Sequence, residues 1–189
     1  RQMCIRDRNK YATTPFPLSK SLLNEYPEFI ESSFRIFNFQ EPFQLVEYNN
    51  RNFNEKNFFF ADSSILEVFD FKFVQQSKKE SFFISNSVII SESAKEKYFG
   101  KYNPLGKEIT VNEGIRLKVT GVFKDYPKQS HLHFDFITPI STLSNIIGNE
   151  PQTWLWNACW TYVLTKPNIN KEKLEKQLPA FVNKYFEIA

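Results

Sequence analysis

The chain has 189 residues, enough for one medium domain or two small lobes around a hydrophobic core that needs no disulfide staples. Its 24 basic and 21 acidic residues are interspersed and leave a formal net charge of +3, which argues against the one-sided basic footprint of a nucleic-acid-binding protein. Two cysteines, Cys4 and Cys159, lie far apart without metal-ligand spacing, and no apolar run approaches the roughly 20 residues that cross a bilayer, so zinc ribbons, disulfide frameworks and helical spans within these residues are excluded.

The opening octet RQMCIRDR is polar and basic with no apolar stretch behind it, unlike a signal peptide or an anchor. It resembles the translated adapter found at the start of metagenome-derived reading frames, and residues 1–8, Cys4 among them, are read as a non-native tail. TTPFPL is extended by its prolines. Ser19 is then placed to cap a short helix with Leu22, Leu23 and Tyr26 at helical spacing, which Pro27 ends. Between Phe29 and Tyr48, SSFRIFNF and FQLVEY read as two strands about a turn at Glu41 and Pro42. The polar stretch Asn49 to Asn54 reads as a second turn before a strand over Phe58 to Ala61. Asp62 or Ser63 can cap one helical turn carrying Ile65, Leu66 and Phe69, and Gln75 to Glu80 follows as a polar connection.

Four of the five glycines, Gly100, Gly106, Gly114 and Gly121, fall between Val88 and Pro127. Glycine serves where the backbone needs positive φ or close approach, so this crowding predicts a tightly specified run of strand, short helix, turn and strand. Val88 to Ile90 is a short apolar strand; Ser91 or Ser93 starts a helix, Ser93 by a capping box with Glu96, and Gly100 stops it. Asn103 to Lys107 has the chemistry of a tight turn, with Pro104 at the first central position and Gly106 two residues on. Ile115 to Phe123 alternates as a half-buried strand in which Gly121 marks a bulge or close approach. After DYPKQS, HLHFDFIT alternates again as a strand, and Trp160 to Thr165 is another. Pro167 and Asn168 turn the chain into a helix with one stripe, Leu174, Leu178, Phe181, Val182 and Tyr185, kinked at Pro179.

The sharpest chemical constellation is His131, His133 and Asp135, which at period two share one face of the expected strand and offer imidazole and carboxylate ligands to a metal. They include both histidines of the chain, and no third strong ligand lies nearby in sequence; the competing reading has His131 bonding the preceding loop and His133 half exposed. Ser63, Ser64 and Ser130 lack a nucleophile elbow, and Asp62, Asp70, Asp125 and Asp135 are scattered among turns, where aspartate bonds local backbone. Cys159, between Trp156 and Trp160, reads as a small buried hydrophobe. GKYNPLGKEI is not a phosphate loop: the glycine spacing is one residue too long, and Glu108 follows Lys107 where the motif needs a hydroxyl.

The ordered segments FFFADSSILEVFDF, VIISESAKEKYFG, NPLGKEI, LKVTGVFKDYP, SHLHFDF and KLEKQLPAFVNKYF resemble the MacB-like periplasmic core domain of FtsX-type ABC transporter permeases, in the form abundant in Bacteroidetes. The resemblance runs from about Thr13 to the end and gives Gly100, Asn103, Pro104, Gly106, Gly121, Asp125, Pro127, Ser130 and His131 the standing of a structural fingerprint. It implies an α+β fold of two lobes: a membrane-proximal α/β lobe from residues 13–62 and 153–189, and an inserted, mainly β lobe with short helices from residues 63–152. It further implies a domain on the periplasmic side of the bacterial inner membrane, flanked by transmembrane helices, that couples ATP-driven motion to export or release of a substrate. ATP would be used by a separate ATPase subunit or domain, so the resemblance brings no catalytic residue and no cofactor to this one. The implied partners are that ATPase, a second permease in a homodimer or pseudo-dimer, and a periplasmic adaptor or lipoprotein; nucleic acid is not among them. Two other readings stand beside it: a free-standing periplasmic binding module for a peptide or lipid, and a metal-dependent enzyme built on His131, His133 and Asp135.

Overall fold

A computed structural model describes residues 4–6, 9–78, 83–127, 129–148 and 151–186, so residues 1–3, 7 and 8 of the opening octet, and Lys79 and Glu80 of the polar connection, lie outside it. The elements begin with β1 (Cys4–Arg6), β2 (Asn9–Tyr11), β3 (Thr14–Pro15), α1 (Leu18–Glu25), β4 (Ile30–Phe37), β5 (Gln44–Tyr48) and β6 (Arg51–Glu55). Then come β7 (Phe58–Ala61), α2 (Ile65–Val68), β8 (Phe73–Gln76), β9 (Ser87–Ser91), α3 (Glu92–Phe99), β10 (Glu108–Val111) and β11 (Ile115–Phe123). The last are β12 (Phe136–Pro139), a 3-10 turn (Ile140–Leu143), α4 (Ser144–Ile147), β13 (Asn157–Thr165) and α5 (Lys171–Phe186). This mixed α and β chain divides into two compact units, Arg1–Arg35 with Glu150–Ala189 and Ile36–Asn149. Among the described residues no helix is long and apolar enough to cross a membrane.

In the first unit β1 and β2 pair antiparallel, and β13 lies between β3 and β4. Thr14 and Pro15 of β3 pair with Cys159 and Asn157 of β13, and the Thr14 hydroxyl donates to the Cys159 carbonyl at 3.1 Å. Cys159 is fully buried, as a small hydrophobe would be. Helix α1 starts at Pro17, whose φ of −69° and ψ of −18° are already helical, and not at Ser19. Proline pre-sets the first turn, so Ser19 falls inside the helix, where its hydroxyl meets that of Ser33 on β4 at 2.8 Å. Leu18 and Leu22 of that helix and Tyr26, its C-cap, form a core with Ile30 and Phe181, ringed by Trp154, Leu174, Leu178 and Tyr185. The α5 stripe is narrower than expected, because Val182 is 37% exposed. Pro179 sits within the continuous helix.

The second unit is a sheet in the order β7, β12, β9, β11, β10, β5, β6, with the last two residues of β4 on β7 and β8 also on β11. Two of its pairs are parallel, β12 with β7 and β11 with β9, and the latter is closed by a crossover through α3. The expected first lobe, through Asp62, therefore divides earlier: β5 pairs with β10 and β7 with β12, which draws Ile36 to Ala61 into this unit. The stretch Asn49 to Asn54 is a turn only at Asn49 and Asn50, whose φ of 50° and 58° make a two-residue hairpin, and Arg51–Glu55 is a strand. Part of the expected connection is likewise strand, since Gln75 and Gln76 of β8 pair with Val122 and Gly121. The alternation in HLHFDFIT does not make a strand of its first half: β12 begins at Phe136. Gly121 does lie at a register shift between β11 and β9.

Sheet and helix in this unit converge on Tyr98. Lys56 and Asn57 alone join β6 to β7, the two ends of the strand order, so the sheet curls around α3. The Tyr98 ring, 1% exposed, packs edge-on against Phe53 of β6 at 5.3 Å and against Phe136 of β12 at 5.6 Å.

Positive φ is concentrated differently from the glycines. Gly100 (φ 55°) ends α3 and Gly106 (φ 78°) shapes the following turn, where Lys107 N donates to Pro104 O at 3.0 Å, so Pro104 opens that turn and Gly106 is its second central residue. In the β10–β11 turn it is Asn112 (φ 49°) and Glu113 (φ 61°) that are left-handed, not Gly114. Nothing lies within 4 Å of a Cβ built at Gly106, so alanine there meets only backbone strain. Gly106→Ala should cost about 1 kcal/mol, whereas Gly114→Ala should be neutral or slightly stabilising. Urea midpoints at unchanged slope measure both; equal effects at the two positions would refute the assignment.

Candidate functional site

Helix α3 is fastened at its start by two aspartates from later in the chain. Ser91, the N-cap, accepts from Ala94 N at 3.0 Å, and its hydroxyl donates to Asp135 Oδ1 at 3.0 Å. The other oxygen of Asp135 accepts from Asn57 Nδ2 at 2.8 Å, while Asp135 N donates to Asn57 O at 3.0 Å. Ser93 is not the cap: its N and its hydroxyl donate to Asp125 Oδ1 and Oδ2 at 3.0 and 2.6 Å. Two carboxylates at a helix start also suit the positive end of its dipole.

That use of Asp135 bears on the expected metal site. His131, His133 and Asp135 precede β12 and share no strand face; both histidines are exposed, and the carboxylate is taken up by Asn57 and Ser91. Among the described residues no group of three or more His, Cys, Asp or Glu side chains is placed to hold a metal ion. Ser130 orders its own loop, its N donating to Pro127 O at 2.9 Å and its hydroxyl accepting from Leu132 N at 3.3 Å. Asn103 does the same in the next turn upstream, accepting from Leu105 N at 3.1 Å. Ser63 and Ser64 lie in the turn that starts α2, where their carbonyls accept from Leu66 N and Glu67 N.

At the other end of α3, Glu55 of β6 is 8% exposed, and one of its oxygens accepts from Tyr98 Oη at 2.5 Å and from Lys97 Nζ at 2.8 Å. The Lys97 ammonium also stands 4.5 Å from the centre of the Phe53 ring. Arg51 reaches the same turn, its Nη2 donating to Tyr98 O at 2.7 Å. Burial first, then the hydrogen bond and charge of Glu55, pushes the Tyr98 phenol well above the tyrosine range. Sequence reading missed this lock. Its only signal was the alternation of Asn52, Phe53, Asn54 and Glu55 inside a stretch polar enough to pass for a turn.

In the first unit the corresponding fastening joins α1 to α5. Glu25 Oε1 accepts from Lys184 Nζ and, at 2.7 Å, from Tyr185 Oη, and Tyr26 Oη donates to Gln177 O at 3.3 Å. Beneath these polar contacts Phe181 meets Tyr26 at 5.9 Å and Trp154 at 6.0 Å between ring centres. Apolar burial holds the seam, and the polar ends set its register.

The sequence matches the model of the MacB-like periplasmic core domain over residues 6–181. The chain belongs to that family. Solved structures agree at the level of fold. A domain described as that of a permease protein from Porphyromonas gingivalis is 20% identical, with a TM-score of 0.72 over 94% of this chain and 73% of its own. The periplasmic region of MacB from Actinobacillus actinomycetemcomitans is also 20% identical, with a TM-score of 0.68 over 95% and 77%. The extracellular domain of the ABC-type transporter YknZ from Gram-positive bacteria is 16% identical, with a TM-score of 0.62 over 92% and 84%. No curated protein matches the chain. The chain is thus the periplasmic domain of a MacB/FtsX-like ABC transporter permease.

Within this periplasmic core domain Glu25 is the group of the α1–α5 seam that should respond to acid. The Lys184 hydrogen bond, with that of Tyr185, holds the Glu25 carboxyl below its ordinary value of 4.5. A carboxyl lowered in the folded state stabilises it above 4.5, and that contribution is lost as pH falls below 4.5. Thermal melts should show the native chain losing more stability than Glu25→Gln between about pH 5 and pH 3; parallel curves would exclude Glu25 from the seam.

Proposed function

We propose that this domain is a mechanical coupler: ATP hydrolysis on a separate cytoplasmic ATPase moves the transmembrane helices of the permease, and the domain carries that motion to a substrate being exported or released. The observation that carries this reading is the family match over residues 6–181, joined to the way α5 is fastened. A helix leading to a membrane segment can transmit displacement only if it cannot slide on its lobe. Here Leu174, Leu178, Phe181 and Tyr185 pack on the α1 side, and burying Phe181 alone contributes roughly 1.5–3 kcal/mol. The permease works as a dimer on this reading, with the ATPase as its obligatory partner and an adaptor or lipoprotein as a further one.

Chemistry in the domain is not required by this function, and Asn103, Asp125 and Ser130 of the fingerprint are engaged in local structure: Asp125 holds α3 together with Asp135 from outside the fingerprint, and Asn103 and Ser130 close turns. The test uses the full-length parent permease in membrane vesicles, with a reporter cysteine at the exposed β4 position Glu31→Cys beside the buried Cys159. Labelling by an impermeant maleimide should change rate when ATP with vanadate replaces buffer. Phe181→Ala, or the surface change Lys184→Gln, should blunt that response while ATP hydrolysis continues. A reporter indifferent to nucleotide, or an undiminished response in both variants, would contradict the coupling.

A further inference from the structure

Charged residues make up 24% of the chain, yet two stretches of the second unit hold none: 81–91, SFFISNSVIIS, and 136–149, FITPISTLSNIIGN. Hydrogen bonds bring these stretches side by side. Asn86 N donates to Thr142 Oγ1 at 3.0 Å, Asn145 Nδ2 donates to Asn86 Oδ1 at 3.1 Å, and Thr138 Oγ1 donates to Ser87 O at 2.7 Å. Thr138 and Thr142 are fully buried, so the junction is anchored from beneath. What it carries outward is apolar. Among the described residues six large apolar side chains of this unit are exposed, and three of them, Ile84, Ile146 and Ile147, lie within two residues of the stitched Asn86 and Asn145. A single exposed isoleucine needs no explanation; three on one fixed junction mark an interaction surface.

Charge separates the occupants this surface could take. A lipid surface is met through lysine, arginine, tryptophan or tyrosine, and neither stretch contains one. A charged partner segment would find no counter-charge in either. A second copy of the same surface meets neither objection: two copies related by a two-fold axis bring no like charges together where there are none. The flank agrees with this. A groove of about 340 Å³ beside Ile84 holds Glu108, Arg116 and Lys118, so both signs are present at the margin, and the glutamate of one copy has cations to face on the other.

We propose that the surface of Ile84, Ile146 and Ile147 is where the periplasmic domains of two permease copies meet, each against its counterpart. This rests on the permease being a dimer, and adds the surface through which its two domains touch. Three isoleucines a side make a small apolar centre, so the contact is weak between free chains and is sustained when both copies are tethered in one membrane. Pre-ordering of the junction by its hydrogen bonds lowers the cost of forming it.

The test uses the full-length permease in its membrane, treated with a short bis-maleimide that reaches exposed thiols and not the buried Cys159. Ile147→Cys should yield a cross-linked dimer well above both the unsubstituted permease and the control Glu31→Cys. Added to Ile147→Cys, Ile84→Lys or Ile84→Glu should each lower that yield about tenfold, because like charges then face each other. Coexpressing the two should restore it, which a folding defect would not allow. Light scattering of the solubilised permease separates the two readings. A dimer whose Ile147→Cys form fails to cross-link, ignores both charges, or is not restored by mixing them would overturn this contact and leave the dimer standing, whereas a monomer would overturn both. Flotation of the full chain with phosphatidylcholine vesicles, abolished by Ile84→Lys, would assign the surface to lipid and overturn the proposal.

Discussion

The hydrogen bond between Tyr98 and Glu55 sits where the two ends of a curled sheet meet the helix that fills it. Tyr98 comes from α3, Glu55 from the terminal strand β6, and the same tyrosine ring touches Phe136 on β12. A carboxylate 8% exposed is costly to bury unless its oxygens are satisfied, and here Lys97 and Tyr98 share one of them. The geometry of the second unit follows from this. With the lock closed, α3 is held at its start by Asp125 and Asp135 and at its end by Glu55, so Gly100 and Gly106 bend the chain from a fixed frame.

Much of this was legible in the sequence, and the reasons are local. The stop at Gly100, a cap at either Ser91 or Ser93, the alternation that opens β11 before it is buried on both faces from Val119, and the apolar stripe of α5 are written in residues a few positions apart. The hairpin at Asn49 and Asn50 has the sequence of a longer turn because Arg51 to Glu55 is polar on the residues that face solvent, and only Phe53 betrays the strand. The alternation of HLHFDFIT predicts a strand that would group His131, His133 and Asp135, but the chain reaches sheet geometry only at Phe136. Contacts such as Glu25 with Tyr185 could not be foreseen: no local pattern ties residues so far apart, and either would pass alone as an ordinary surface group.

The two units hold their helices by the same device. In each, an aromatic side chain is buried on a neighbouring element and a glutamate ties a phenol and an ammonium near the same turn: Glu55 with Tyr98 and Lys97, Glu25 with Tyr185 and Lys184. The exposed pair adds little energy by itself and fixes register; the buried one carries more, since its members cannot turn to water instead. The coupling role proposed for this domain needs helices that do not slip, and these two fastenings meet that need.

A double-mutant cycle on Tyr98→Phe and Glu55→Gln, read from urea unfolding, addresses the lock directly. Each single change should destabilise the chain, and the coupling between them should reach about 1–3 kcal/mol, as for a hydrogen bond to a buried charged group. Additive effects, with no coupling beyond error, would mean that the sheet closes on α3 by packing alone and that Tyr98 and Glu55 are neighbours without being a lock.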